Sequence, residues 1–318
     1  MINQLAIIIV SFIAIYFSSK EALKRIVKLA KHYRVGEIVI SFVIIGIMSI
    51  LPELSIGISS AAENVPNFGL GVIIGSNVAD MTIIIGIIAL IWGRIKIHKK
   101  VTDQIKYFVF GITLPTLLLL DGSISQVEGG ILLASFLFYI TYVYFSNKKD
   151  NVVNKKQDIN VVFELTILII SVAFLLICGN LITDAAKEIS QILAIPIIFL
   201  GVVFAIGTCL PELSVAMRAS RDKHEDVGLG GIMGNVITDS TLSIGIVALI
   251  RPITPEYPIL AISTGLFAIA SFLILWYFVS RKNEVTRRNG AFLIVFYVIF
   301  LLVQTVLEDL VVNSPRVV

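Results

Sequence analysis

Glu53, Glu212, Asp80 and Asp239 are acidic residues set inside long apolar stretches, and they form two matched pairs. Leu51-Pro52-Glu53-Leu54-Ser55 returns as Leu210-Pro211-Glu212-Leu213-Ser214; at the same shift of 159 residues, Asp80 returns as Asp239. A charged side chain at bilayer depth costs roughly 2.5–3.5 kcal/mol on insertion scales, so such residues mark ion or proton pathways. Each pattern also carries a proline, which lacks an N–H and clashes with the carbonyl four residues earlier. Pro52 therefore frees the carbonyl of Met48 and loosens that of Ser49, and Pro211 does the same at Gly207 and Thr208. Freed carbonyls are tolerated at membrane depth only when buried in protein or lining a hydrated cavity. Ser49 stands four residues from Glu53, and Thr208 four from Glu212, on one helix face. Ser76 and Asp80, and Asn235 and Asp239, have the same spacing. These are hard oxygen donors, which suit Ca²⁺ with its 6–8 oxygen ligands far better than zinc or copper. Na⁺ can use the same oxygens. Cys178 and Cys209 have no zinc or disulfide spacing, and His32, His98 and His224 fall in polar connectors without ligand spacing.

The elements that position these groups follow from composition. Apolar residues make up 57% of the 318 positions and charged ones 15%, whereas a soluble domain carries about 25% charged residues. The expected fold is an all-α membrane protein. Ten stretches approach the length of about 20 apolar residues that a span requires: 2–19, 35–61, 69–92, 105–121, 126–146, 161–182, 192–217, 228–250, 256–280 and 289–312. The first does not read as a signal peptide, because no Lys or Arg precedes it and no small-residue cleavage site follows. With ten spans, alternate connectors share a side, and all of the 25 Lys and Arg residues except Lys187, Arg251 and Arg316 fall on one side. The positive-inside rule makes that side cytoplasmic and puts both termini outside.

The polar stretch 147–160 divides the chain into a five-span half at 1–146 and another at 161–318, with repeat motifs at 41–92 and 200–251. Five is odd, so the halves are expected to enter the bilayer from opposite sides, as ten helices in two inverted repeats with helices two and seven broken at their prolines. Inverted repeats with midplane sites on broken helices are a recurring design of secondary transporters. Gly71 and Gly75, and likewise Gly230 and Gly234, offer flat strips for close helix approach. The basic stretch from Lys20 to Arg34 continues span one or lies along the inner surface. Asp121, Glu164 and Asp184 sit near span ends and read as interfacial; Glu63 and Glu256 fall on the outer side, where they can at most attract cations.

Gly207-Thr208-Cys209-Leu210-Pro211-Glu212 and Gly75-Ser76-Asn77-Val78-Ala79-Asp80 resemble the two motifs of the Ca²⁺/cation antiporter superfamily, especially the prokaryotic sodium/calcium exchangers. The resemblance implies ten helices in inverted halves. It implies Ca²⁺ held by Glu53 and Glu212 and by the carbonyls of Ser49 and Thr208, with flanking Na⁺ sites drawing on Ser49, Ser76 and Thr208. It also implies alternating access by sliding of spans one and six across the rest. This chain departs from the motifs at Ile50, Cys209 and Asn235, each replacing a hydroxyl, and at Asp80, where the family commonly has Asn. Four carboxylates around one Ca²⁺ leave two uncompensated negative charges, which favours a bound proton and opens H⁺ as the counter-ion.

The expected function is therefore a cell-membrane antiporter, not an enzyme, exchanging Ca²⁺ for Na⁺. The metal ligands are drawn from Glu53, Glu212, Asp80, Asp239, Ser49, Thr208, Ser76 and Asn235. The alternative is an H⁺-coupled exchanger of Ca²⁺ or another hard divalent such as Mn²⁺ or Mg²⁺. An intramembrane aspartyl protease needs a closely paired dyad, and the accompanying glutamates argue for transport instead. A passive channel would lack counter-transport. No phosphate-cradling Gly-rich loop with Lys supports ATP-driven pumping. The expected partners are the ions and the lipid bilayer, with no resident cofactor, nucleic acid or protein partner. The 147–160 linker is too short for a folded calcium sensor.

Overall fold

The structure is a computed structural model that describes residues 1–33, 45–96, 105–146, 158–221, 225–282 and 284–313. Apart from two short strands it is helical. The first half contains α1 (Ile2–His32), α2 (Ile45–Ser49), α3 (Leu51–Ala62), α4 (Pro66–Ala79), α5 (Ile85–Trp92), β1 (Arg94–Lys96), α6 (Ile105–Leu118) and α7 (Gln126–Ser146). The second contains α8 (Val161–Leu193), α9 (Ile197–Thr208), α10 (Leu210–Arg221), α11 (Glu225–Thr238), α12 (Ile244–Ile250), α13 (Pro258–Lys282), β2 (Glu284–Thr286) and α14 (Arg287–Asn313).

Seven helical stretches among the described residues are long and apolar enough to cross a membrane. Of the ten expected spans, those at 35–61, 105–121 and 126–146 are not among these seven. The first lies partly outside the described residues and is interrupted at Ile50. The second is a 14-residue helix with Pro115 inside it, closed by a 3₁₀ turn at Leu119–Asp121. The third forms α7, a helix of 21 residues. The linker expected at 147–160 lies outside the described residues except for 158–160.

α4 is apolar around its circumference and buried along nearly its whole length, as an all-round apolar helix must be. Its glycines let α9 approach backbone to backbone. A Cβ on Gly71 would lie 2.3 Å from the Ile198 carbonyl oxygen, and one on Gly201 would lie 2.4 Å from that of Phe68. The corresponding face of α11 is looser: a Cβ on Gly234 meets nothing within 4 Å among the described residues.

α1 and α8 run against each other on the outside of this core. α1 has no Gly or Pro within it, so the basic stretch simply continues the span to His32. α8 is started by Asn160, whose side-chain oxygen accepts from the Phe163 N–H at 3.1 Å. It stops at Ala194, which sits at φ 54°, just before Pro196. Polar contacts join the two helices at both ends. Glu164 accepts from Arg25 Nη1 at 2.9 Å and from Lys28 Nζ at 2.8 Å, and Gln4 donates to Glu188. Glu164, near the start of α8, is therefore a buried partner of two cations, which its position near a span end did not reveal. Glu63 is also engaged, accepting from Lys187 Nζ at 2.6 Å. Glu164→Gln is expected to lower the thermal midpoint by more than Glu63→Gln, because Glu164 holds two cations in a shielded spot and Glu63 one at the surface. Melting curves of the two variants check this.

The two strands form an antiparallel ribbon that was not expected from the sequence, with Ile95 opposite Val285. Far along the chain from it, Ile124 and Ile253 exchange N–H···O bonds of 2.8 and 2.9 Å. Both links join a connector of one half to a connector of the other.

Candidate functional site

The repeat of 159 residues is reproduced in the elements themselves. α3 and α10 start 159 residues apart, as do α4 and α11. In both halves the helix carrying Leu-Pro-Glu is interrupted one residue before the leucine, at Ile50 and at Cys209. The proline then occupies the first turn of the new helix, where its missing N–H leaves no bond unmade. Glu53 and Glu212 follow immediately, in the first turn of the new helix.

Asp80 and Asp239 each open a five-residue π-helical turn, Asp80–Ile84 and Asp239–Ser243. Such widened turns inside α-helices recur at functional sites. A threonine hydroxyl covers the disturbed carbonyl at each: Thr82 bonds to Val78, and Thr241 bonds to Ile237 at 2.7 Å. These turns escape a reading by apolar periodicity because one inserted residue barely alters the pattern.

All four carboxylates are buried, with Glu53, Asp80 and Asp239 at 0% exposure and Glu212 at 6%. They lie close enough to act on one another electrostatically, across the halves as well as within them. The four-residue spacing from Ser76 to Asp80 and from Asn235 to Asp239 gives no hydrogen bond within either pair among the described residues. Ser76 bonds to Asp239 at 3.3 Å, and Asn235 Nδ2 donates to Asp80 Oδ2 at 2.7 Å, each reaching into the other half. An i, i+4 relation places two side chains on one face, but here that face is pressed against its counterpart, and the Ser76 hydroxyl is shared between the Ile73 carbonyl at 2.8 Å and the acid of the other half. Ser49 likewise turns away from Glu53, donating to the Gly46 carbonyl and Asn235 Oδ1, both at 2.9 Å. Thr208 donates to the Ala205 carbonyl at 2.9 Å and stands beside Glu53 of the other half. All eight expected site residues thus gather where the halves meet.

Three further polar residues belong to this region. Asn77 donates to Ser240 at 3.0 Å, again between halves, and Ser243 donates to Asp239 Oδ1 at 2.7 Å. Asn77 is part of the quoted Gly-Ser-Asn run and was open to discovery; Ser240 and Ser243 carry no motif. Both carboxylate oxygens of Glu53 and both of Glu212 are buried without a hydrogen-bond partner among the described residues. Leaving a buried acceptor unpaired costs about 1–3 kcal/mol, more for a charged group. Among the described residues, no three Asp, Glu, His or Cys side chains converge tightly enough to hold an ion by themselves.

The chain matches the sodium/calcium exchanger protein family over residues 3–145 and again over 163–306, once in each half. It belongs to that family. As a sodium/calcium exchanger family member it is a multi-pass membrane cation antiporter and not an enzyme. It is 26% identical over 296 residues to the uncharacterized membrane protein MJ0091 of Methanocaldococcus jannaschii, covering 92% of this chain and 94% of that one. It is 25% identical to the sodium/calcium exchanger MaX1 of Methanosarcina acetivorans, covering 86% and 91%. Among solved structures, the fold is similar to that of the sodium-calcium exchanger NCX_Mj, with a TM-score of 0.66, 24% identity and coverage of 94% and 97%. It is also similar to that of the H⁺/Ca²⁺ exchanger CAX, with a TM-score of 0.76, 13% identity and coverage of 97% and 85%.

Proposed function

We propose that this family member moves Ca²⁺ out of the cell in exchange for Na⁺, by alternating access to a site between the two halves. The observation that carries this reading is the set of unpaired, buried carboxylate oxygens of Glu53 and Glu212 beside two helix breaks. Buried acceptors without donors are rare in folded proteins and call for a ligand. Two carboxylates balance one divalent cation. The carbonyls left at the ends of α2 and α9, where each helix breaks before its Leu-Pro-Glu, would bring the neutral oxygens that Ca²⁺ needs to reach six or more ligands. Ser49 and Thr208, next to those breaks, would contribute their carbonyls, and Thr208 also stands beside Glu53.

In this reading the halves are inverted repeats of five spans each, with ten crossings in all, a cytoplasmic connector near 147–160 and both termini outside. The one-sided distribution of Lys and Arg supports that orientation.

H⁺ as the counter-ion is favoured by one observation. Asp80 adds a further acid to a site that two glutamates already neutralise for a divalent ion, and excess buried negative charge favours proton uptake. Proteoliposomes decide between the two. A Na⁺ gradient at equal pH is expected to drive Ca²⁺ movement, with little response to a pH gradient in the absence of Na⁺. Movement driven by the pH gradient and indifferent to Na⁺ would overturn the Na⁺ reading. Mn²⁺ and Mg²⁺ as competitors in the same assay measure divalent selectivity.

A further inference from the structure

The two aspartates are furnished differently. Asp239 Oδ1 accepts from Ser243 at 2.7 Å, and its Oδ2 lies 3.3 Å from the Ser76 hydroxyl, which also reaches the Ile73 carbonyl at 2.8 Å, so neither oxygen is without a hydroxyl neighbour. Asp80 has only Oδ2 engaged, by Asn235, and its Oδ1 is buried without a hydrogen-bond partner among the described residues. The position matching Ser243 in the first half is Ile84, so the turn that Asp80 opens supplies no hydroxyl in that place.

The helix behind each aspartate differs in the same sense. α14 packs on the π turn opened by Asp80, and α7 packs on the one opened by Asp239. Glycine pairs set both contacts. A Cβ on Gly86 would lie 2.9 Å from the Gly290 carbonyl oxygen, and a Cβ on Gly245 would lie 3.0 Å from that of Gly129. Gly290 and Gly129 are therefore equivalent. Seven residues further along the same helix face stand Tyr297 in α14 and Phe136 in α7. The ribbon joins the end of α5 to the start of α14, so those helices run in opposite directions. From Gly86 back to Asp80 is six residues, and from Gly290 on to Tyr297 is seven. At about 1.5 Å per residue the two rises are about 9 and about 10 Å, so phenol and carboxylate reach the same level.

Tyr297 is 2% exposed, its hydroxyl has no hydrogen-bond partner among the described residues, and it lies within electrostatic reach of Asp80 and Cys209. Asn77, one turn before Asp80 on the same helix, also has its Oδ1 buried and unpartnered. We propose that Tyr297 Oη and Asp80 Oδ1, with Asn77 Oδ1, ligate the monovalent counter-ion in a subsite beside the one formed by Glu53 and Glu212. One carboxylate with an amide oxygen and a phenol oxygen carries a single negative charge, which matches a hard monovalent cation. The twofold-related position lacks the site, because Phe136 is apolar and Asp239 has no free oxygen. This inference rests on the exchange reading above.

The test uses the full-length protein in proteoliposomes, wild type against Tyr297→Phe, with Ca²⁺ flux measured as Na⁺ and pH are varied separately. The half-saturating counter-ion concentration, in Na⁺ or in H⁺, is expected to rise by about tenfold, the scale of one hydrogen-bond-strength contact to a charge. The half-saturating Ca²⁺ concentration and the maximal rate are expected to stay within about twofold, since the divalent ligands are untouched. The acids that share the pH response are Asp80, Glu53, Glu212 and Asp239, with Cys209 beside them. Phe136→Tyr is expected to change neither constant. An unchanged Na⁺ constant together with an unchanged pH midpoint in Tyr297→Phe would overturn the inference. Equal losses for Ca²⁺ and counter-ion would also overturn it, by marking Tyr297 as structural.

A second measurement needs no transport: the rise in thermal midpoint with added NaCl, or with falling pH, in EGTA. That rise is expected in the wild type and shifted to higher concentration in Tyr297→Phe; the same response in both proteins overturns the inference. If Glu53→Gln kept full Ca²⁺ binding, the exchange reading would fall, and the thermal series would still decide on Tyr297.

Discussion

Glu53→Gln and Glu212→Gln are each expected to remove divalent exchange almost completely. The exchanged oxygen is lost as an anionic ligand, and the remaining glutamate is left as an uncompensated buried charge whenever a divalent ion is absent or weakly held. Breaking a buried charge pair costs about 3–5 kcal/mol, which corresponds to a loss of about 100-fold to about 4,000-fold in affinity. Neither side chain makes a hydrogen bond that holds the fold together, since both carboxylates are unpartnered among the described residues. Glutamine keeps the shape, so the variants are expected to be recovered with normal yield and thermal midpoint. The measurement is Ca²⁺ counterflow and equilibrium Ca²⁺ binding on the purified variants. Full exchange in both would place the ion elsewhere.

The second large effect is on assembly. Gly71→Leu and Gly201→Leu are expected to give little or no folded protein, because their first side-chain carbon would already lie 2.3 and 2.4 Å from backbone oxygens of the facing helix. Overpacking a core costs about 1–3 kcal/mol where side chains can yield, and backbone yields less. The informative comparison lies between the twofold-related Gly75 and Gly234. A Cβ on Gly75 would lie 2.9 Å from that of Ala205 and 3.0 Å from Cα of Val202, whereas one on Gly234 meets nothing within 4 Å among the described residues. Gly75→Ala is therefore expected to lower the thermal midpoint. Gly234→Ala is expected to leave it unchanged or raise it, given a gain of about 1 kcal/mol in helix propensity. Equal effects would mean that the two seams are packed alike.

The site was legible in the sequence to the extent that it was written twice. The repeat identified the four acids and the helix breaks, because Leu-Pro-Glu at apolar depth has few innocent explanations. The bonds around them were not legible. Ser76 and Asn235 reach acids of the opposite half, and no spacing along one helix reports a contact across an interface. The π turns at Asp80 and Asp239 were hidden by their small effect on periodicity. Tyr297 lies outside both motifs, and only the glycine contact between Gly86 and Gly290 brings it level with Asp80. The partners of Glu164 were not legible, because its position near a span end said nothing of Arg25 and Lys28 arriving from α1. For the fold, the repeated helices were readable from length and apolarity. The three-residue strands were not, being too short to show alternation.

The ribbon between β1 and β2 and the Ile124–Ile253 bridge fasten connectors of the two halves to each other at separate places, while α1 and α8 are tied mainly to one another, at both ends. On the exchange reading proposed above, the fastened connectors would belong to a stator and α1 with α8 to a rotor. Fasteners of backbone hydrogen bonds would then keep the stator's geometry fixed while ions come and go. α1 and α8 meet the rest through a few polar bonds among the described residues, including Lys187 to Glu63 and Tyr16 to Ser214, and through an apolar seam in which Ile15, Leu175 and Ile182 pack with Ile56, Phe68 and Val72. On the same reading, slippage along that seam as well as the breaking of those bonds would set the height of the barrier between one cycle and the next.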